Sequence, residues 1–224
     1  MDLNSFLHGV SVGAIPVVCA ITLHEVAHGW AAKLCGDRTA DAQGRLSLNP
    51  LKHIDPVGTI LLPGFLLLIG SPFLLGWAKP VPVNPRGMRD PRWDMVKVAA
   101  AGPGSNVVMA LLWALLGVVV AHVALPAVGG RWLYEMASVG VQWNLFLAAF
   151  NLLPILPLDG GRVLANTLPA GPFRALLEKL EPYGFLIVIG LSYLRLLTIP
   201  IGIIFWLMLS FVTLVTGFRL PLGF

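Results

Sequence analysis

The chain has 224 residues, 57% of them hydrophobic and only 12% charged, with a formal net charge of +4. A soluble globular domain carries about 25% charged residues, so this composition, with a mean hydropathy of +0.82, excludes an ordinary soluble enzyme and points to the lipid bilayer as solvent. The basic residues sit in loops beside apolar runs and form no basic helix or aromatic–basic stripe, a pattern that excludes a nucleic-acid partner and fits the positive-inside bias of membrane proteins.

A helix crosses the hydrocarbon core with about 20 apolar residues. The first such run extends from Asn4 to Ala32 and is interrupted by His8 and by His24-Glu25-x-x-His28. It has no basic residue before it and carries a motif, so it is expected to stay in the mature protein rather than leave as a signal peptide. A polar stretch, 35–55, follows, with Gly36, Gly44, Asn49 and Pro50 as breakers. The run 56–78 is apolar but holds Gly58, Pro63, Gly64, Gly70 and Pro72, and basic loops flank it on both sides (Lys33, Arg38, Arg45 and Lys52 before; Lys79, Arg86, Arg89, Arg92 and Lys97 after). A plain span would put those loops on opposite faces, so a re-entrant or strongly kinked segment is favoured, with the plain span as the alternative.

Short alternating pieces at 45–48 and 81–83 read as edge strands. Apolar runs at 98–130, 136–158 and 196–218, and a shorter one at 182–194, complete the chain. The expected fold is an all-α membrane protein, a polytopic helix bundle of five to six transmembrane segments, with the N-terminus outside and Lys33, Arg162, Arg174, Lys179 and Arg219 in the cytosol. Cys19 and Cys35 form no CxxC pair, so neither a zinc ribbon nor a disulfide framework is indicated.

His24-Glu25-Val26-Ala27-His28 carries the chemistry. Residues four apart share one helix face, where two imidazoles can bind one zinc ion while the adjacent Glu25 takes a proton from water. Ionisable groups at membrane depth are costly and usually functional. A hydrogen-bonded polar knot and a proton or metal pathway are the alternatives, and the latter would place ionisable residues along several helices. A catalytic zinc site needs a third protein ligand. Asp159, in Asn151-Leu-Leu-Pro-Ile-Leu-Pro-Leu-Asp159-Gly160-Gly161-Arg162, follows a long uncharged run at a turn rich in proline and glycine that can aim its carboxylate into the bundle. As a cap for a helix starting near Gly160 it would have a structural role instead.

HEVAH, NLLPILPLDGGR and the Ala101-Gly-Pro-Gly-Ser-Asn106 segment together resemble the site-2 protease family of intramembrane zinc metalloproteases, in its compact form without a PDZ or CBS domain. The resemblance implies one membrane-embedded domain over 1–224 in a prokaryotic plasma membrane. It implies Zn²⁺ on His24, His28 and Asp159, with Glu25 as the base. The substrate would be a single-span membrane protein cut in regulated intramembrane proteolysis. It also implies that Asn151 binds the substrate carbonyl or its oxyanion, for which an interhelical hydrogen bond is the alternative. Gly102 and Gly104 would allow close helix packing, and Asn106 would bond across to another helix. The segments 36–55 and 79–94 resemble the family's membrane-associated strands, which could pair with unwound substrate. His8, His53 and His122 are read as solvated or interfacial.

Overall fold

The computed structural model describes residues 2–69, 76–123 and 127–221. Apolar sequence becomes helix wherever it runs without a breaker, and the ends carry the expected signals. Asp2 accepts from Ser5 N–H at 2.8 Å to open α1 (Leu3–Leu34). Asp90, followed by proline at the first helical position, opens α4 (Pro91–His122). Between them lie α2 (Thr39–Ala42), a π-helical turn (Pro56–Leu61) and α3 (Leu62–Leu68). Then come α5 (Ala127–Asn151), α6 (Asp159–Thr167), α7 (Pro172–Leu180), α8 (Gly184–Tyr193) and α9 (Thr198–Thr216).

By length and composition, α1, α4 and α9 can each cross a membrane. Their outward residues, among them Ile15, Leu112, Leu207 and Leu214, are exposed and apolar, as a lipid-facing surface requires. The expected span at 136–158 is instead the helix 127–151. It is long enough to cross, but Glu135, Gln142, Asn144 and Asn151 lower its hydropathy. Asn144 has no solvent exposure at all, because α5 packs among α1, α4 and α9. Alanines at 110, 114, 137, 148 and 149 are likewise fully buried and let these helices close up. Val141 and Leu145 of α5 meet Leu209 and Val212 of α9 in the main apolar cluster.

The short strands expected at 45–48 and 81–83 are not formed, and no strand occurs among the described residues. Pro80 and Pro82 bring no N–H to a ladder, and the neighbouring backbone groups bond to side chains. Arg45 donates to the carbonyls of Lys79 (2.8 Å) and Pro80 (3.3 Å), and Val81 N–H donates to Glu25 Oε2 (2.9 Å). His53 is buried rather than solvated, with a ring nitrogen 2.8 Å from Ser47 O, whereas His8 and His122 are exposed.

The two ends of the apolar run 56–78 lie side by side. Lys79 N–H donates to His53 O at 2.9 Å, Trp77 N–H to Gly58 O at 3.1 Å, and Thr59 Oγ1 to Trp77 O at 2.9 Å. These three bonds hold residues 53–59 against residues 77–79. Residues 70–75, which carry Gly70 and Pro72, lie outside the described residues.

Candidate metal centre

The i, i+4 spacing puts His24 and His28 on the face of α1 that meets α4. Their rings stand edge to face, with centroids 4.7 Å apart. Gly102 of α4 lies directly against them. A Cβ there would overlap His28 Nε2 and sit 2.7 Å from His24 Cε1, so only glycine leaves the imidazoles their room. Gly104, expected to serve close packing too, faces open space.

Asp159 arrives from another element. After α5 ends at Asn151, the chain turns through Pro154 and Pro157 and re-enters helix at Asp159, the first residue of α6. Gly160 makes the turn possible, since a Cβ at that position would overlap the Leu152 carbonyl. No side chain caps α6; the Asp159 carboxylate points at the histidines instead. The other end of α6 is held by Arg92 of α4, whose guanidinium donates to the carbonyls of Asn166 (2.8 Å), Thr167 (3.0 Å) and Leu168 (3.0 Å).

The three side chains form a triangle, closed by two ring nitrogens and the two carboxylate oxygens. His24 Nε2 and His28 Nε2 are 3.1 Å apart, His24 Nε2 and Asp159 Oδ2 3.2 Å, and His28 Nε2 and Asp159 Oδ1 3.4 Å. In a tetrahedral zinc site, with bonds of about 2.1 Å, neighbouring ligand atoms are about 3.4 Å apart. The far side of each ring shows why these atoms face one another. His28 Nδ1 lies 2.7 Å from Val98 O, which can only accept, so Nδ1 carries the proton. His24 Nδ1 lies 2.6 Å from Asn106 Oδ1. In neutral rings both Nε2 atoms are therefore bare lone pairs. They converge with a carboxylate whose Oδ2 is buried without a hydrogen-bond partner. Three acceptors aimed at one point in a poorly solvated place fit a cation, and two imidazoles with one carboxylate are a zinc donor set that leaves a fourth position for water.

Comparisons with known proteins place the chain in a family. Residues 127–194 match the model of Peptidase family M50. A protein of Bacillus subtilis, YwhC, is 40% identical over 200 residues, covering 88% of this chain and 84% of its own length.

The chain belongs to Peptidase family M50, the site-2 proteases.

Rip2 of Mycolicibacterium smegmatis is another relative, 34% identical over 172 residues, which are 77% of this chain and 62% of that protein. Rip2 of Mycobacterium tuberculosis is 31% identical over 84% of the chain and 69% of its own length. All three relatives bear the name "Putative zinc metalloprotease". No solved structure matches the chain. As an M50 peptidase the chain is a membrane metallopeptidase by family, and the three residues that converge in it are His24, His28 and Asp159.

The remaining expected site residues are Glu25 and Asn151. Glu25 is next to His24 on α1, its Oε2 bonded to Val81 N–H. Asn151 closes α5, and its Nδ2 donates to Leu147 O at 2.9 Å, a bond within its own helix. Asn106 does bond across helices, to His24 as well as to α5. The sequence reading missed Asn144, the α5 partner of Asn106; an amide in the middle of an apolar run was the signal available.

Proposed function

We propose that the chain is an intramembrane zinc metalloendopeptidase, a single membrane-embedded domain over residues 1–224. It would hydrolyse a peptide bond in or near the transmembrane segment of a single-span membrane protein. The observation that carries this reading is the donor triangle of His24, His28 and Asp159, with both imidazole Nδ1 atoms committed elsewhere as donors. The names of the relatives favour zinc in that triangle.

Zinc bound there would polarise the scissile carbonyl and lower the pKa of water toward about 7. Glu25 takes the proton of the attacking water and returns it to the leaving amine nitrogen; its Oε1 lies outside the bond to Val81. Asn151 uses one N–H on Leu147 O and has a second to offer the developing oxyanion. A substrate helix hides its peptide bonds, so it must unwind to react.

In the bilayer we count α5 as a fourth spanning helix beside α1, α4 and α9, and α8 with the turn before it as a shorter fifth, in a prokaryotic plasma membrane. Cleavage of a single-span substrate by the purified chain in detergent tests the reading. Loss of cleavage with a chelator and in Glu25→Gln, with zinc still bound by that variant, supports it. Undiminished cleavage by Glu25→Gln refutes it.

A further inference from the structure

A primary amide buried in a helix bundle must satisfy two N–H donors and one carbonyl oxygen. Asn106 of α4 and Asn144 of α5 are both fully buried, and their four hydrogen bonds run in one direction. Asn144 Nδ2 donates to Gly140 O at 2.8 Å. Its Oδ1 accepts from Asn106 Nδ2 at 3.0 Å, and Asn106 Nδ2 also donates to Ala20 O at 3.2 Å. Asn106 Oδ1 then faces His24 Nδ1 at 2.6 Å.

The orientation of an amide is usually assigned from its network, and here two backbone carbonyls decide it. Gly140 O and Ala20 O can only accept. If either amide were turned over, a carbonyl oxygen would oppose a carbonyl oxygen in a buried place. Asn106 Oδ1 is thus fixed as an acceptor, the proton of a neutral His24 is drawn to Nδ1, and the Nε2 lone pair is left toward Asp159.

We propose that Asn106 and Asn144 are positioning residues for the metal centre: Asn144 holds the Asn106 amide in the one orientation that keeps His24 protonated at Nδ1 and open to metal at Nε2. The chain of bonds begins on α5 and ends on α1, so the ligand state of a residue on one helix is set from two others. The inference rests on the proposed metal centre, and outer partners of this kind affect metal affinity about 10- to 100-fold.

The test is zinc affinity of the purified full chain in detergent, measured by competition with a chromophoric chelator and expressed per folded protein. His24→Ala and Asp159→Ala serve as references; if they bind zinc like wild type, the metal centre itself is refuted. With those references weakened, Asn106→Ala is expected to lose about 10- to 100-fold and Asn144→Ala a smaller factor. Because Asn144 acts through Asn106, the double variant should lose no more than Asn106→Ala alone. Wild-type affinity in either single variant, or losses that multiply in the double variant, would overturn the proposal.

If Asn106→Ala does not fold, the ring ¹⁵N signals of His24 in zinc-free Asn144→Ala carry the test. An Nε2–H form beside the Nδ1–H form is expected there, because only the longer 3.2 Å bond to Ala20 O still orients the Asn106 amide, against a single Nδ1–H form in wild type. The wild-type pattern in that variant overturns the proposal.

Discussion

The backbone N–H of Val81 donates to Glu25 Oε2 across 2.9 Å, joining the 79–83 segment to the helix that carries both histidines. The bond needs only an acceptor at Oε2, which a glutamine side chain can also present. Glu25→Gln is therefore expected to keep the fold and the zinc affinity while removing the base. The loss in kcat should be about 100- to 10,000-fold, measured beside a zinc-loading assay on the same preparation.

Gly102 and Gly104 are two residues apart on α4, yet only Gly102 touches the histidines. Gly102→Ala puts a methyl group into His28 Nε2 and His24 Cε1, with an overpacking cost of about 1–3 kcal/mol and a displaced metal centre. Gly104→Ala meets nothing within 4 Å and should change stability by at most about 1 kcal/mol, in the stabilising direction, through helix propensity. Zinc affinity and melting temperature of the two variants, taken together, check this; equal zinc affinities would contradict it.

Much of this site was legible in the sequence because its decisive spacing is local. His24 and His28 share a turn of helix, and Asp159 sits where proline and glycine force the chain to reverse. The 45–48 and 81–83 pieces misled because alternation reports a pleat but not a partner. The groups that occupy their backbone, Arg45 and Glu25, come from distant positions, and Pro80 and Pro82 remove the donors a ladder would need. Asn144 stayed hidden for a related reason: the role of a single amide in an apolar run depends on what the adjacent helix places opposite it.

Asp37, at the end of α1, joins two loops outside the spanning helices. Its Oδ1 accepts from Thr39 N–H and Thr39 Oγ1, and its Oδ2 from Asn84 N–H at 2.7 Å. Burial raises its pKa, but these hydrogen bonds outweigh burial and hold the pKa below the ordinary 3.8. A carboxylate whose folded pKa is depressed stabilises the protein above its unfolded value, and that contribution fades as pH falls through the folded value. Asp37→Asn should therefore melt below wild type at neutral pH. The gap should begin to narrow as pH drops past 3.8 and close only below the lowered folded value, which thermal melts at stepped pH would show.

Asn151→Ala separates substrate from metal. Its amide touches Leu147 O and no residue of the donor triangle. The proposed oxyanion role predicts a kcat about 100- to 1,000-fold lower, with zinc affinity and melting temperature close to wild type. Unchanged kcat would leave Asn151 a helix-end residue only.

The guanidinium of Arg92 grips three carbonyls at the end of α6, and its own helix supplies Val98 O to His28. The helix that begins with Asp159 is thus tethered to the one that orients a histidine, by bonds that do not involve metal. Small zinc domains fold only when the ion arrives; here bonds without metal hold α6 to α4, so withdrawing an ion from the proposed site is expected to leave the protein folded. Loading and stripping can then be cycled on one sample, with the scaffold as a constant.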